Sequence, residues 1–371
     1  MVTERMSTRR PELDLIRTVV VFGLIFAHAA LVFDAEDDFY VKNADTTSVT
    51  MMLAGFVVIW AMPLLFLVSG VAACYSLRKR GAGGFAKDRL LRLGLPLVAA
   101  VVTIVPIPQW IRAGATGSYW AFLPEFFDVH LDLADFPFVL DGEHFEVGHL
   151  WFVVMLVVWS LVLAATARWI PPDYGFLTRR GFVLLPFVPI ALVCVFAGLE
   201  QEFAAWSRWA YLLFFLYGYI VAADDRLRAA IRRDAPLAAL IGGVLFPVGA
   251  IGFLLVPGDP MTDMVPAHVA ARALYGAASW CICVAILGFL DRRTWTEEGG
   301  YLMAAALFVY VVHQPVVVVT AYHVVQWQAP IIVKYAAIVA VSFAVTLAAY
   351  EIVRRVPYLR DLFGARQAGR A

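Results

Sequence analysis

Two ionisable residues in the first apolar segment have types and a spacing that suit proton transfer. Arg17 precedes His28 by eleven residues. Eleven residues of α-helix return the chain to within about 20° of its starting direction and advance it roughly 16 Å. One helix face would therefore carry a cation at one end and an imidazole toward the other. Since neutral histidine can take a proton from a hydroxyl near pH 7, we expect His28 to be a general base assisted by Arg17. A flanking arginine and a packing histidine are the structural alternatives.

Two further places carry candidate side chains. Tyr310 and His313 lie one helical turn apart in a late apolar segment, and Pro315 after them frees a backbone carbonyl. A histidine in mid-segment is hard to explain by packing, so we expect both residues to be catalytic. Ser69 could donate toward an oxyanion or, with Gly70, let two helices approach closely.

Other polar residues suit binding. His149 and Trp151 open an apolar segment, where they could bind substrate or form an interfacial rim. Asp14 lies one turn before Arg17 and can pair with it. The most basic stretch could hold the phosphates of a polyanionic cofactor or act only as an orientation signal. It contains Arg78, Lys79, Arg80, Lys87, Arg89 and Arg92.

The composition indicates that a membrane surrounds these residues. Apolar residues make up 62% of the 371 positions and charged residues 16%, more apolar and less charged than water-soluble domains. The apolar residues form blocks of the length that crosses a bilayer as helix, and no alternating pattern suggests a barrel. We therefore predict an all-α integral membrane bundle with about ten transmembrane helices. The predicted spans are 15–33, 52–75, 93–112, 149–170, 181–198, 204–223, 236–256, 271–290, 301–325 and 331–350.

Charge distribution gives these spans a direction. If the N-terminus is cytoplasmic, 24 of the 29 Lys and Arg fall on the inner side, among them Arg9, Arg10 and the tail. This imbalance follows the positive-inside rule and predicts that both termini are cytoplasmic. Net charge is zero and the cations are scattered, so no nucleic-acid partner is indicated. The four cysteines all fall within predicted spans, and we expect no metal site.

The outer segment 113–148 is long for a loop and mixes acidic residues with aromatic ones. Aromatic faces beside carboxylates suit a polyhydroxylated ligand, while an amphipathic helix lying on the membrane surface is the alternative. We find no internal repeat and expect a single membrane domain over residues 1–371.

These residues, in this order, resemble the membrane acyltransferase-3 family. The resemblance rests on Arg17 and His28, the run from Met62 to Gly70, Phe85 with Arg89 and Arg92, and the openings His149-Leu150-Trp151-Phe152 and Tyr310-Val311-Val312-His313-Gln314-Pro315. The run at Met62 is closest to the branch that includes glucan succinyltransferases. The family's first-helix arginine and histidine correspond to Arg17 and His28, and its paired loop arginines to Arg89 and Arg92.

The resemblance implies an enzyme that moves an acetyl or succinyl group from cytoplasmic acyl-coenzyme A to a hydroxyl of an extracytoplasmic carbohydrate or lipid-linked acceptor. It also implies a multi-pass protein of a bacterial cytoplasmic membrane. The extra extracytoplasmic hydrolase-like domain that some relatives carry is not expected here. Direct attack by the acceptor is favoured, with an acyl-histidine intermediate as the alternative. A lipid-linked sugar transporter or flippase, or a non-catalytic subunit, would share the helices. The acyl group, the acceptor and the oligomeric state stay open.

The charge asymmetry predicts which loops are reachable from outside the cell. An accessibility tag at residue 40 or 135 should react with an impermeant reagent in intact cells, and one at 82 or 229 only after permeabilisation. A tag at 82 that reacts in intact cells would overturn the predicted orientation.

Overall fold

The computed structural model describes residues 10–171, 173–293 and 300–365, without the side chains of 51–54, and most of its regular structure is helical. Arg9 and the tail from residue 366, which the charge count put on the inner side, lie outside these residues. The α-helices are α1 Pro11–Leu31, α2 Val49–Arg89, α3 Leu95–Thr103, α4 Pro106–Arg112, α5 Tyr119–Phe126, α6 Trp151–Thr166, α7 Phe187–Phe196, α8 Arg208–Ala223, α9 Asp225–Leu254, α10 Pro266–Leu290, α11 Tyr301–Val324, α12 Ile331–Val353 and α13 Pro357–Leu362.

Shorter elements join these helices. A π-helical turn, Leu90–Gly94, links α2 to α3. Two-residue strands β1, His130–Leu131, and β2, Leu140–Asp141, pair antiparallel. The 3₁₀ turns are Gly148–Leu150, Ala167–Trp169, Gly175–Thr178, Phe182–Leu184 and Gln201–Phe203. Segment 113–148 therefore contains one short helix and a small hairpin, and both interpretations of it, a ligand-binding segment and an amphipathic helix on the membrane surface, stay predictions.

Helices of membrane-spanning length account for most of the chain. By length and composition, seven described helical stretches could cross a membrane. They are Pro11–Leu31, Gly55–Arg112, Gly148–Trp169, Asp225–Leu254, Pro266–Leu290, Tyr301–Val324 and Ile331–Val353. The shorter apolar helices Phe182–Phe196 and Arg208–Ala223 coincide with the fifth and sixth predicted spans. A multi-pass helical membrane protein is thus confirmed, while the number of spans and their orientation stay predictions.

The basic segments are more helical than the sequence suggested. The stretch from Arg78 to Arg92 continues α2 and the π-helical turn, interrupted only at Gly81, whose φ of 68° is left-handed. Helix α9 likewise begins at Asp225 and includes the cations up to Arg233. Arg, Lys, Leu and Ala are good helix formers, so charge ends the membrane-spanning portion without ending the helix.

The chain folds into two compact units built from discontinuous segments. Among the described residues, the first unit comprises 10–17, 56–82, 165–171 and 173–293, and the second comprises 18–55, 83–164 and 300–365. In the second unit α11 contacts α3, α4 and α12, and α13 contacts α3. Phe22 of α1 stacks on Phe343 of α12 with ring centroids 5.8 Å apart. The expectation of a single membrane domain stays a prediction.

Close backbone contact defines the packing of the first unit. A Cβ at Gly70 of α2 would overlap the carbonyl oxygen of Phe215, and one at Gly218 of α8 would overlap that of Leu67. Small residues let membrane helices approach to this distance. The close approach considered for Ser69 and Gly70 is therefore present.

This contact makes Gly70 sensitive to a single added methyl group. Because the opposing atom belongs to the backbone, Gly70→Ala should destabilise the protein by at least the roughly 1–3 kcal/mol typical of overpacking. The matched control is Gly243→Ala in α9, where a Cβ meets no atom within 4 Å. Thermal unfolding in detergent should show a lower Tm for Gly70→Ala only, and equal Tm values would contradict the assigned contact.

Candidate active site

The second unit brings three predicted histidines together, and α11 fixes the first of them. His313 is fully buried. Its Nδ1 lies 3.0 Å from the carbonyl oxygen of Val309 and 2.8 Å from that of Tyr310. Carbonyl oxygens only accept hydrogen bonds, so Nδ1 must carry the ring proton. In the neutral ring Nε2 is then a lone pair, and it is buried without a hydrogen-bond partner among the described residues.

The second histidine, His149, sits in the 3₁₀ turn that opens α6 and is tied to α11. Its backbone N–H donates to Oε1 of Gln314 at 2.9 Å. Its Nε2 lies 3.0 Å from the carbonyl oxygen of Val311, which fixes that nitrogen as the donor. Tyr310 donates its hydroxyl to the carbonyl of His149. The orientation of this imidazole therefore depends on α11.

Gly148 allows this turn to form. Its φ is +51°, a left-handed conformation that glycine adopts without steric cost. A Cβ there would lie 3.2 Å from the hydroxyl oxygen of Tyr40 and 3.5 Å from Oε1 of Gln314. A side chain at this position would press on the groups that hold His149.

His28 near the end of α1 completes the cluster. Its ring centroid lies 5.1 Å from that of His313 and 6.5 Å from that of His149, while His149 and His313 are 4.9 Å apart. Phe39 stacks on the other side of His28 at 5.9 Å. The Nδ1 atom of His28 is buried and has no hydrogen-bond partner among the described residues.

The segment after α1 is held by two lysines, which positions Phe39 and Tyr40. Lys42 donates to the carbonyl oxygen of Leu31 at 2.8 Å, at the C-terminal end of α1. The buried Lys334 donates to Oδ1 of Asn43 at 2.8 Å and to the carbonyl oxygen of Val325 at 2.9 Å. Ammonium groups at helix C-termini satisfy carbonyls that have no partner within the helix.

A half-buried carboxyl group adjoins this cluster. Tyr40 donates its hydroxyl to Oε1 of Glu146, and Arg112 lies over the Tyr40 ring at 4.8 Å. Burial raises the pKa of Glu146 to about 7. Glu146 therefore changes charge close to neutral pH, two residues before Gly148 and outside the predicted spans.

The cluster can perform acid–base chemistry. Each neutral imidazole offers one lone pair. Among the described residues, neither Nε2 of His313 nor Nδ1 of His28 has a hydrogen-bond partner. Tyr310 already directs its proton to His149, so an oxyanion role for Tyr310 would need that bond to exchange. No group of three or more His, Cys, Asp or Glu in the described residues could hold a metal ion.

Other predicted residues lie outside this cluster. Arg17 pairs with Asp14 at 3.1 Å in the first unit. Ser69 is half-buried on α2 of the same unit. Trp151 follows the His149 turn in the second unit and packs edge-on against Phe152 at 6.3 Å. The roles predicted for Arg17, Asp14, Ser69 and Trp151 stay predictions.

The basic stretch is divided between the units. In the first unit Arg78 donates to the carbonyl oxygen of Ala223, Arg80 donates to Ser76, and Lys79 is exposed. In the second unit Arg92 pairs with Asp88 at 2.6 Å, and the guanidinium of Arg89 lies 5.0 Å from the Phe85 ring centroid. Their roles in cofactor binding stay predictions.

Sequence reasoning gave no role to four residues of the cluster. These residues are Phe39, Tyr40, Glu146 and Gln314. Gln314 stood beside His313, and its polarity within a span was the available signal. Nothing local distinguished Glu146 from the other acids of the outer segment, because only the folded chain buries it.

Helices of spanning length surround the imidazole cluster of a multi-pass membrane protein. Residues 10–351 match the model of the acyltransferase-3 family, described as "Acyltransferase domain". The chain therefore belongs to this family and is an O-acyltransferase. The resemblance inferred from the motifs is confirmed.

Curated relatives are similar over nearly the whole chain. Glucans biosynthesis protein C of Salmonella gallinarum is 20% identical over 381 aligned residues, covering 95% of this chain and 94% of that protein. The proteins of that name from Salmonella paratyphi B and Salmonella dublin give the same values. No solved structure matches.

The pKa of Glu146 predicts a pH-dependent stability. Because its folded-state pKa of about 7 lies above its ordinary 4.5, its contribution to stability is full below about pH 4.5 and is lost as pH rises through about 7. Glu146→Gln should remove this dependence, so Tm in detergent should fall less with rising pH than in the parent. Glu143→Gln, exposed in the same segment, is the control. Equal pH dependence in parent and Glu146→Gln would contradict the assignment.

Proposed function

We propose that this O-acyltransferase moves an acetyl or succinyl group from cytoplasmic acyl-coenzyme A to a hydroxyl of an extracytoplasmic carbohydrate or lipid-linked acceptor, with His28 as the general base. The observation that carries the proposal is the position of the His28 imidazole near the end of α1, with the rings of His149 and His313 as neighbours in the second unit. The family match supports acyl transfer, and the name of the Salmonella relatives supports a glucan-type acceptor.

The reaction needs one proton carrier. His28 takes the proton of the acceptor hydroxyl while that oxygen attacks the thioester carbonyl, and a tetrahedral intermediate forms. The C–S bond then breaks, the electron pair leaves on sulfur, and the protonated histidine returns the proton to it. The products are an acyl ester and free coenzyme A. The same imidazole thus serves as base and then as acid.

An aromatic and imidazole environment supports this use of His28. Phe39 stacks against its ring, and His149 and His313 are its other ring neighbours. The tautomers of His149 and His313 are both fixed by main-chain carbonyls.

We assign the donor phosphates to the basic stretch, with Arg89 and Arg92 of the second unit as principal contacts. The cofactor-binding roles predicted for Arg78, Lys79 and Arg80 of the first unit stay part of the proposal. The Arg92–Asp88 pair is partly exposed, and such pairs stabilise proteins little, so a phosphate can replace the carboxylate at small cost. Arginine forks bind phosphate oxygens in pairs. With the predicted orientation this stretch faces the cytoplasm, where acyl-coenzyme A is found.

We assign the acceptor to the opposite side. In the predicted orientation the end of α1 that carries His28, the His149 turn and segment 113–148 face outward. His149 and Trp151 then form the rim over which an acceptor hydroxyl reaches His28. Tyr310, in the same unit as His28, is the candidate donor to the thioester oxyanion. Arg17, which pairs with Asp14, and Ser69 lie in the first unit, and the roles predicted for these three residues stay predictions.

Replacing His28 tests the proposal. His28→Ala should lower turnover per folded molecule by about 10² to 10⁴, the usual loss for a general base, with little change in Tm. Purified protein in detergent is given acetyl- or succinyl-coenzyme A and a glucan oligosaccharide, and free thiol and acylated sugar are both measured. The control is His323→Ala, an exposed histidine at the end of α11.

The outcomes separate catalysis from transport. If His28→Ala turns over like the parent, the base lies elsewhere. If the parent itself releases no thiol and acylates no sugar from either donor, the proposed reaction is wrong. The transporter alternative predicts that second result.

A further inference from the structure

We propose that His313 is a positioning residue that accepts a hydrogen bond from Nδ1–H of His28, and so leaves Nε2 of His28 as the atom that takes the acceptor's proton. This inference rests on the proposed function, in which His28 is the base. It names the tautomer of that base and the residue that selects it.

The first step concerns His313, whose own tautomer is not free to vary. Two main-chain carbonyls, of Val309 and Tyr310, accept from its Nδ1 at 3.0 and 2.8 Å. Moving the proton to Nε2 would set the Nδ1 lone pair against two oxygen lone pairs inside an apolar bundle, at the cost of an unmade buried hydrogen bond. His313 therefore presents a hydrogen-bond acceptor at Nε2 and cannot present a donor there.

The second step concerns two buried nitrogens of the histidine cluster that have no hydrogen-bond partner among the described residues. They are Nε2 of His313 and Nδ1 of His28, and both are shielded from solvent. A buried polar atom without a partner is costly, so native structures usually pair such atoms. An acceptor on one ring and a nitrogen that can carry a proton on its neighbour satisfy each other only if the proton is on Nδ1 of His28.

Distance supports this pairing. The ring centroids of His28 and His313 lie 5.1 Å apart and the rings are inclined by 45°. A linear N–H···N bond of ordinary length between two imidazoles separates their centroids by about 5 Å. Because His313 is held by two carbonyls while His28 is only half-buried, a turn of the His28 ring is the movement that would close the bond. Hydrogen bonds at active sites often tighten in this way when substrate binds.

His149 is a poorer partner for His28. Its centroid lies 6.5 Å from that of His28, too far for a direct bond between the rings. Its Nε2 proton is committed to the carbonyl oxygen of Val311. The ring of His313 is thus nearer to His28, and the unbonded lone pair on its Nε2 can accept the hydrogen bond that Nδ1–H of His28 would donate.

The arrangement corresponds in chemical logic to a catalytic triad. There a buried acceptor holds one ring nitrogen protonated so that the other ring nitrogen is the base. Here a neutral imidazole replaces the carboxylate, which avoids burying a negative charge in the membrane. The acceptor hydroxyl then meets Nε2 of His28, and its proton passes from there to the leaving sulfur.

A set of His313 variants tests the role in the full-length protein. His313→Phe keeps a ring but removes the acceptor, so kcat should fall about 10- to 100-fold with KM for donor and acceptor unchanged. His313→Gln offers an amide oxygen and should recover part of that loss. In the His28→Ala background, His313→Phe should cause no further loss, because the two residues act as a unit. His323→Phe, on the same helix and exposed, is the matched control.

A direct reading of the tautomer does not depend on whether a variant folds. Parent protein with ¹⁵N-labelled histidine in nanodiscs should give a His28 signal with the proton on Nδ1, identified among the seven histidines by its absence from His28→Ala. A His28 proton on Nε2 would overturn the inference. Full activity of His313→Phe would also overturn it. A double variant whose loss of kcat equals the product of the losses in His28→Ala and His313→Phe would overturn it as well.

The two proposals fail differently. An inactive His28→Ala together with a fully active His313→Phe removes only the positioning role. An active His28→Ala removes His28 as the base, and the tautomer assignment loses its function with it.

Discussion

The tie between the His149 turn and α11 is the contact on which the site depends. Three hydrogen bonds join the turn to Tyr310, Val311 and Gln314, and each uses a polar group that lipid could not solvate. In a hydrocarbon environment no water can replace a broken hydrogen bond, so these bonds hold the turn in one place. This attachment fixes the position of the His149 imidazole beside the rings of His28 and His313.

Several polar groups of the cluster are hydrogen-bonded to the protein, whereas two buried nitrogens have no hydrogen-bond partner among the described residues. Tyr310 donates its hydroxyl to the carbonyl of His149, and Oε1 of Gln314 accepts from the backbone N–H of His149. Nδ1 of His313 donates to the carbonyl oxygen of Tyr310. Burial makes an uncommitted group expensive, so the two unpartnered nitrogens at His28 and His313 stand out from their surroundings.

The segments outside the helices serve this core by positioning it. Lys42 and Lys334 fasten the chain after α1 through main-chain and amide oxygens, and Phe39 and Tyr40 lie against the cluster as a result. Tyr40 in turn meets Glu146, which brings a group that titrates near neutral pH to the edge of the site. The buried Lys334 and the half-buried Lys42 are both compensated here by carbonyl oxygens at helix ends.

The sequence by itself determined the helical membrane class, the approximate spans, the family and most of the cluster. Apolar blocks of bilayer length have few alternatives, and ionisable residues inside them are rare enough that His28, His313 and His149 could be picked out singly. The tertiary structure decided the distances between these histidines and the tautomers of their rings. It also decided the contacts that Glu146, Tyr40 and Gln314 make around them. Helical periodicity relates residues only within one helix, whereas these contacts join α1, α6, α11 and two loops that are far apart in the chain. Polarity marks a group as costly to bury, but which carbonyl or ring relieves that cost depends on how the helices pack.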